Sequence, residues 1–351
     1  MTRVRGHYAY VTRTLLSLFE DERLPNVVSV DVEPEYGYAT RIHYRGGSVR
    51  LTLGNDVGLN ASGACDVAKD KAHAKFFLLS SNVECPAGTS FLLPWWAKQI
   101  RPRLILHGAN GMRLSSDAPA YAEENLGFPV YVKPVDGSQG SNVFRCDRRE
   151  EIGFALEIME RDRIRVAVVE EAVELPDYRL VVLDRSVISA YRRDPLSVVG
   201  DGSSTIDELL FNLLEKFQEQ GRAARISLED ERIQQCLRRQ TLGPESVPRS
   251  GAKVSLLHLS NLSLGGAAKD VSASAASEWT DLAIEVADLL GLRYCGVDLA
   301  CADIQDPAAN YSVLEVNAAP GLDHYAEVGP AQEAKVRELY ARVLNAFPHR
   351  A

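Results

Sequence analysis

The chemistry this chain could do is written most plainly near its C-terminal end. Glu315 and Asn317, in Val313-Leu314-Glu315-Val316-Asn317, are two residues apart, so on a strand their side chains share one face. Asp298, in Gly296-Val297-Asp298-Leu299-Ala300, interrupts a second apolar run and could point the same way. Two carboxylates and an amide oxygen form a hard, oxygen-only donor set suited to Mg2+ bridging nucleotide phosphates. Carboxylates inside apolar strands are costly without a cation partner. That cost favours a metal site over side chains that merely satisfy nearby loops.

A second constellation lies in Pro129-Val130-Tyr131-Val132-Lys133-Pro134-Val135-Asp136-Gly137-Ser138-Gln139-Gly140-Ser141-Asn142-Val143. A strand ends in a lysine, a Gly/Ser loop follows, and another strand begins. Gly137 and Gly140 allow backbone amides to approach a ligand closely, and successive N–H groups can cradle phosphate oxygens. Lys133 would supply charge, although alone the segment reads as well as a solvent-exposed lysine beside a flexible hairpin. Val168-Val169-Glu170-Glu171-Ala172-Val173 with Asp177 could present backbone groups to an adenine edge and a carboxylate to a ribose; alone, it reads as a solvated acidic turn. Arg192-Arg193, closing a strand, could stabilise charge on a transferring phosphoryl group. His258 precedes a second Gly/Ser loop, Ser260 to Gly266, and no nucleophile–His pair stands out.

Elements that could position these groups are visible in the hydrophobic pattern. Strands are expected at Val27–Val32, Ser48–Leu53, Val130–Val132, Val166–Val169, Tyr178–Leu183, Ser186–Tyr191, near 295–301 and near 311–317. Helices are expected at Val11–Phe19, from Ile206 to a stop near Gly221, at about 277–290 and at about 331–346. The second carries Ile206, Leu209, Leu210, Leu213, Leu214 and Phe217 as a single stripe behind Ser204-Thr205. Ser90 to Ser116, with Pro94-Trp95-Trp96 and Arg101-Pro102-Arg103, is expected to be a loop-rich insertion. Interleaved strands and helices make this an α/β (α+β) protein.

Composition narrows the partners. With 351 residues, 39 Lys+Arg against 48 Asp+Glu and a net charge of −9, the chain allows two or three domains and lacks the basic excess of a nucleic-acid binder. No apolar run approaches the roughly 18–20 residues that span a bilayer, so neither a membrane nor a secretory segment is expected. The cysteines (Cys65, Cys85, Cys146, Cys236, Cys295, Cys301) contain no CxxC pair and read as reduced thiols of a cytoplasmic protein.

In their order, these pieces resemble the ATP-grasp ligases, and within them the amide-forming domain of cyanophycin synthetases and glutathione-synthetase-like enzymes. The likeness runs from about Asp70 to Tyr325. It rests on Val198-Val199-Gly200-Asp201-Gly202-Ser203-Ser204-Thr205-Ile206-Asp207-Glu208-Leu209, on Ser260 to Gly266 with Asp270-Val271, and on Glu315-Val316-Asn317-Ala318-Ala319-Pro320-Gly321. The resemblance implies an ATP-grasp fold, its nucleotide held between two α+β subdomains. The expected division is 1–69 (a small N-terminal subdomain), 70–173 and 174–351. By the same likeness Lys71 and Lys133 look like phosphate lysines, and Gly137, Ser138, Gly140 and Ser141 like a loop closing over the phosphates. Glu170, Glu171 and Val173 resemble the adenine hinge, and Asp177 the ribose carboxylate. Arg193 resembles the arginine near an acyl phosphate; Asp298, Glu315 and Asn317 resemble the magnesium ligands. Arg179, Arg249, His258, Asn261, Ser263, Gly265 and Gly266 are the candidates on the substrate side.

ATP and Mg2+, as two ions, are the implied cofactors, amino acids or short peptides the substrates, and a homodimer or homotetramer the expected assembly. The implied reaction couples a carboxylate to an amine through an acyl phosphate. A non-catalytic nucleotide sensor, lactam formation and simple phosphoryl transfer remain open on the same residues. The chain also departs from the family: the loop lacks His and Arg, Arg222 to Arg249 does not keep the Asn-Arg-Asp-Pro-type segment, and the first 65 or so residues do not match clearly. With the chain ending soon after Phe347, a single amide-forming site is expected.

Overall fold

The computed structural model describes residues 8–106, 113–137, 140–219, 226–227 and 229–346, with side chains of 101–106 left aside. Ser138 and the expected helix stop near Gly221 lie outside these residues. In chain order the N-terminal elements are α1 (Tyr10–Glu20), β1 (Val27–Val32), β2 (Ala39–Tyr44), β3 (Val49–Leu53), α2 (Ser62–Lys69), α3 (Lys71–Ser80), β4 (Gly88–Leu92) and α4 (Pro94–Leu106). Then come α5 (Ala118–Tyr121), β5 (Val130–Pro134), β6 (Phe144–Cys146), α6 (Arg149–Arg161), β7 (Val166–Glu171), β8 (Asp177–Leu183), β9 (Ser186–Asp194) and β10 (Ser197–Val199). The remainder is α7 (Ile206–Glu219), α8 (Glu231–Arg239), β11 (Lys253–Ser255), β12 (Ala267–Asp270), α9 (Ser277–Leu289), β13 (Tyr294–Cys301), β14 (Tyr311–Asn317), α10 (Asp323–Ala326) and α11 (Pro330–Asn345). A five-stranded sheet has the order β12-β9-β8-β13-β14.

The chain divides into two compact units. The first comprises Met1–Cys65, Tyr178–Val297 and Asn317–Ala351; the second comprises Asp66–Asp177 and Asp298–Val316. In the first unit, α1 presents Val11, Leu15 and Leu18 at helical spacing to one core with Val336, Leu339, Tyr340 and Val343 of α11. β1, β2 and β3 form an antiparallel sheet in that order. The sequence pattern shows only the outer two strands. β2 turns Thr40, Ile42 and Tyr44 inward but alternates them with Ala39, Arg41 and His43, so no apolar run marks it. A separate core joins Ile206, Leu210 and Phe217 of α7 to Ile233 and Leu237 of α8 and Val254 of β11.

The second unit is built on an antiparallel sheet of order β4-β7-β5-β6. α6 lays Ile152, Ala155, Leu156 and Met159 against Phe91, Val130, Val132 and Val169. Ser90–Ser116 is therefore no loop-rich insertion: it supplies β4 and the 13-residue α4. Pro94 opens that helix at its first position, where the ring's fixed φ is suitable and its missing N–H would have no partner anyway. The proline that reads as a breaker is a helix start. Gly88 of β4 is held against β7 so closely that a Cβ would come within 2.4 Å of Val169 O and 2.6 Å of Glu170 Cα, which only glycine permits.

Candidate active site

In the second unit, β5 and β7 run antiparallel with Tyr131 opposite Glu170 and Lys133 opposite Val168. Lys133 is not the solvent-exposed side chain that its segment alone suggests; it is 9 % exposed. Glu170 is not part of a solvated turn either, at 3 % exposed. Its Oε1 is paired with Lys133 Nζ, while its Oε2 accepts from Lys75 Nζ at 2.7 Å. Lys75 also donates to Pro86 O at 2.8 Å. Burial alone would push the Glu170 carboxyl up, but Lys133 and Lys75 hold it below the ordinary carboxylate value. Burial would likewise depress the Lys133 ammonium, yet Glu170, with Glu315 and Asp298 behind it, keeps it above the usual lysine value.

α3 delivers two of the lysines. Asp70 caps it, accepting from Ala72 N and His73 N at 3.0 Å each. One turn apart on this helix, Lys71 and Lys75 extend to different carboxylates. Lys71 Nζ donates to Gly137 O at 2.8 Å and stands 3.4 Å from Glu315 Oε2, and its own N–H donates to Val135 O at 2.9 Å. Asp298 is 2 % exposed on a strand buried along its whole length, and Glu315 is half-buried on β14. Among the described residues no group of three His, Cys, Asp or Glu side chains gathers as a metal site. The third expected donor, Asn317, is an amide, and it falls in the first unit. Both carboxylates act on the Lys133 charge, and carboxylate oxygens are the donor type a hard divalent cation accepts.

Gly137 and Gly140 are half-buried and Ser141 is exposed, with Gly140 at φ +71° and Asn142 at φ +53°. At the end of β7, Glu171 Oε1 accepts from Ala87 N at 2.8 Å, while its own N–H donates to Ala87 O at 2.9 Å. Ala172 N donates to Pro129 O at 3.1 Å, leaving Val173 and Asp177 half-buried after it.

The first unit carries the other candidates. Arg193 is half-buried on β9 opposite Ala268 of β12. Arg179 of β8 lies across Gly296, where a Cβ would stand 3.3 Å from its Cδ. Arg249 and His258 are exposed. Asn261 Oδ1 accepts from Ser263 N at 3.1 Å and from Ser263 Oγ at 3.0 Å, so the hydroxyl of the buried Ser263 is used inside its own turn. Gly265 closes that turn at φ +91°, and a Cβ on Gly266 would come within 2.7 Å of Asp194 O. The motif around Asp201 is also a built turn. Ser204 Oγ and N and Ser203 N all donate to Asp201, holding its carboxyl below the ordinary range. Thr205 and Glu208 then form a reciprocal cap on α7.

Two residues with central roles give little sign in the sequence. Lys75 sits in Lys71-Ala-His-Ala-Lys75-Phe-Phe, and only its spacing of one helical turn from Lys71 hints that both serve one site. Asn60, in the first unit, donates to Tyr294 O at 2.6 Å and Ala318 O at 2.8 Å, and accepts from Arg293 N at 2.8 Å and Tyr294 N at 3.0 Å. It fixes the start of β13 to the segment that follows β14.

Comparison with known proteins agrees with this fold. Residues 112–201 and 258–336 match the model of the RimK-like ATP-grasp domain. The chain is 27 % identical over 331 residues to a cyanophycin synthetase of Crocosphaera subtropica, covering 92 % of this chain and 34 % of that protein. It is 33 % identical over 230 residues to a glutathione biosynthesis bifunctional protein of Streptococcus agalactiae, covering 60 % of this chain and 30 % of the other. The chain thus spans about a third of the length of these curated relatives. A bifunctional glutathione synthetase from Pasteurella multocida superposes with a TM-score of 0.57 at 21 % identity, over 95 % of this chain and 44 % of that one, a likeness of fold. No helix among the described residues is long and apolar enough to cross a membrane.

Proposed function

We propose that the protein is an ATP-dependent ligase that joins a carboxylate to an amine of amino-acid or short-peptide substrates, releasing ADP and phosphate. The observation that carries this reading is the buried Glu170 clamped between Lys133 and Lys75, with Asp298 and Glu315 acting on the same Lys133. Such an arrangement holds fixed cations ready without a nucleophile, as phosphoryl transfer needs. The names of the relatives favour amide formation as the outcome of that transfer.

In this reading Lys133 and Lys75 contact phosphate oxygens, and the amides around Gly137, Gly140 and Ser141 cradle them. Backbone groups from Glu170 to Val173 meet the adenine, and Asp177 accepts from the ribose hydroxyls. The substrate carboxylate attacks the γ-phosphorus in line, and the bond to the ADP oxygen breaks. Arg193 offsets the charge of the resulting acyl phosphate. The amine then attacks the acyl carbon, phosphate leaves with the C–O electron pair, and the amine gives up a proton. Asp298 and Glu315 would hold Mg2+, which would neutralise phosphate charge when bound. Arg179, Arg249 and His258 are the side chains proposed for substrate, with Asn261, Ser263, Gly265 and Gly266 shaping the loop beside them.

ADP release with pooled amino acids and dipeptides in the presence of Mg2+ tests this directly. Turnover is expected with at least one pool, and Lys133→Ala and Glu315→Ala are expected to abolish it with the circular dichroism spectrum unchanged. ATP binding with no turnover on any pool would make the protein a nucleotide sensor instead.

A further inference from the structure

Lys71 differs from the two lysines that share Glu170. It is the first residue of α3, and both ends of it face the junction between β5 and the glycine loop: its N–H donates to Val135 O at 2.9 Å and its Nζ to Gly137 O at 2.8 Å. The same Nζ lies 3.4 Å from Glu315 Oε2. Its side chain is 11 % exposed and that of Glu315 31 %, so this pair is shielded more than a surface contact.

We propose that Lys71 is a positioning residue rather than a phosphate ligand: its ammonium ties the Glu315 carboxylate to the stem of the glycine loop and competes with a divalent cation for that carboxylate. The idea rests on the ligase reading only for the purpose it assigns to Glu315. Three carboxylates (Glu170, Glu315, Asp298) face three ammonium groups (Lys71, Lys75, Lys133) in this unit. Lys133 and Lys75 pair directly with Glu170, whereas Lys71 pairs directly with Glu315. A cation that is both a competitor and a tether links the two events. When a metal takes Glu315, the Lys71 ammonium keeps the Gly137 carbonyl as its partner and the loop stem stays anchored to α3.

The test is Mn2+ binding to nucleotide-free protein, followed by electron paramagnetic resonance, beside calorimetric titration with ADP in the absence of metal. Lys71→Met removes the charge and keeps the stem. It should bind Mn2+ about three- to tenfold more tightly than the wild type, the range of a partly shielded ion pair, with ADP affinity changed less than about twofold. Lys71→Arg should bind Mn2+ as the wild type does, and Lys133→Met should lose ADP affinity by about tenfold or more. Unchanged or weaker Mn2+ binding by Lys71→Met, or an ADP loss like that of Lys133→Met, would overturn the proposal. So would a wild type that binds no Mn2+, since nothing would then compete with Lys71. Mn2+ binding that follows the expected order in a wild type that binds no ADP would uphold the role of Lys71 and defeat the ligase reading.

Discussion

The charge-rich centre of the second unit and the N-terminal sheet of the first are held together by opposite means. Around Glu170 the contacts are ionic, directed and almost dry: Lys133 and Lys75 on one carboxylate, Lys71 on another. Around β1–β3 the ion pairs are exposed, with Arg41 and His43 on Asp31, and the buried contacts are apolar, hydroxyl to hydroxyl, or side chain to backbone carbonyl. Tyr44 Oη donates to Leu344 O at 3.0 Å, and Arg50 donates to Val343 O at 3.4 Å and also to Ala346 O. Even the one buried cation there faces carbonyls and an aromatic ring, with its Cζ 5.3 Å from the Tyr44 centroid. Paired charges are a poor means of adding stability, because desolvation offsets most of their attraction. Ion pairs occur in both units, but only around Glu170, among the pairs described, are both partners this buried. That burial fits the proposed ligand handling better than it fits stability, while the buried neutral contacts beside β1–β3 serve attachment.

The sharpest way to break this contrast is Glu170→Gln. It removes one charge from between two lysines and leaves both without their carboxylate, which costs about 3 kcal/mol for a buried pair. The loss should appear in urea unfolding at neutral pH together with a large fall in nucleotide affinity. Its pH dependence follows from the depressed carboxyl of Glu170. A group with a lowered native value contributes stability that is full above its unfolded value, near 4.3, and that disappears as pH falls through the native value. The gap between wild type and Glu170→Gln should hold from pH 7 to about pH 5 and shrink below pH 4. A gap independent of pH would show that the carboxylate charge is not what stabilises the centre.

The two regions also differ in how far they can be read from sequence. Asp298, Glu315 and Lys133 stand out because each breaks an apolar strand, and a polar residue placed at that cost signals a purpose. The Thr205–Glu208 cap is legible for the same reason of local spacing. Lys75 is not, because a lysine on a helix is ordinary until its partner, 95 residues away, is known. β2 is hidden by Thr40, Arg41 and His43, which dilute its alternation. α4 is hidden by Pro94, whose meaning depends on whether a helix starts there. In each of these cases a tertiary partner decides what the local pattern leaves open.

Asn60 sharpens the contrast from the neutral side. Asn60→Ala removes four hydrogen bonds to the backbone around Tyr294 and Ala318. At about 1 kcal/mol per bond, less some replacement by water, roughly 2–3 kcal/mol should be lost. Unlike the loss at Glu170, this one should be the same at 50 mM and 500 mM salt, since no charge is involved. A salt-dependent loss would mean that Asn60 acts through its neighbour Arg293 and the Arg293–Asp184 pair, 2.7 Å apart.

Tyr44→Phe should give the smallest effect. Phenylalanine keeps the buried ring, its place in the α1–α11 core and the face over which Arg50 sits. The hydroxyl bond to Leu344 O is lost, and with it that tie between β2 and the last turn of α11. A single buried neutral hydrogen bond is worth about 1 kcal/mol, so the urea midpoint should fall slightly with the slope of the transition unchanged. Nucleotide affinity should not move, because the contact lies wholly inside the first unit. A fall in affinity comparable to that of Glu170→Gln would show that attachment of the N-terminal sheet and ligand handling are coupled, and the division of labour between the two regions would have to be abandoned.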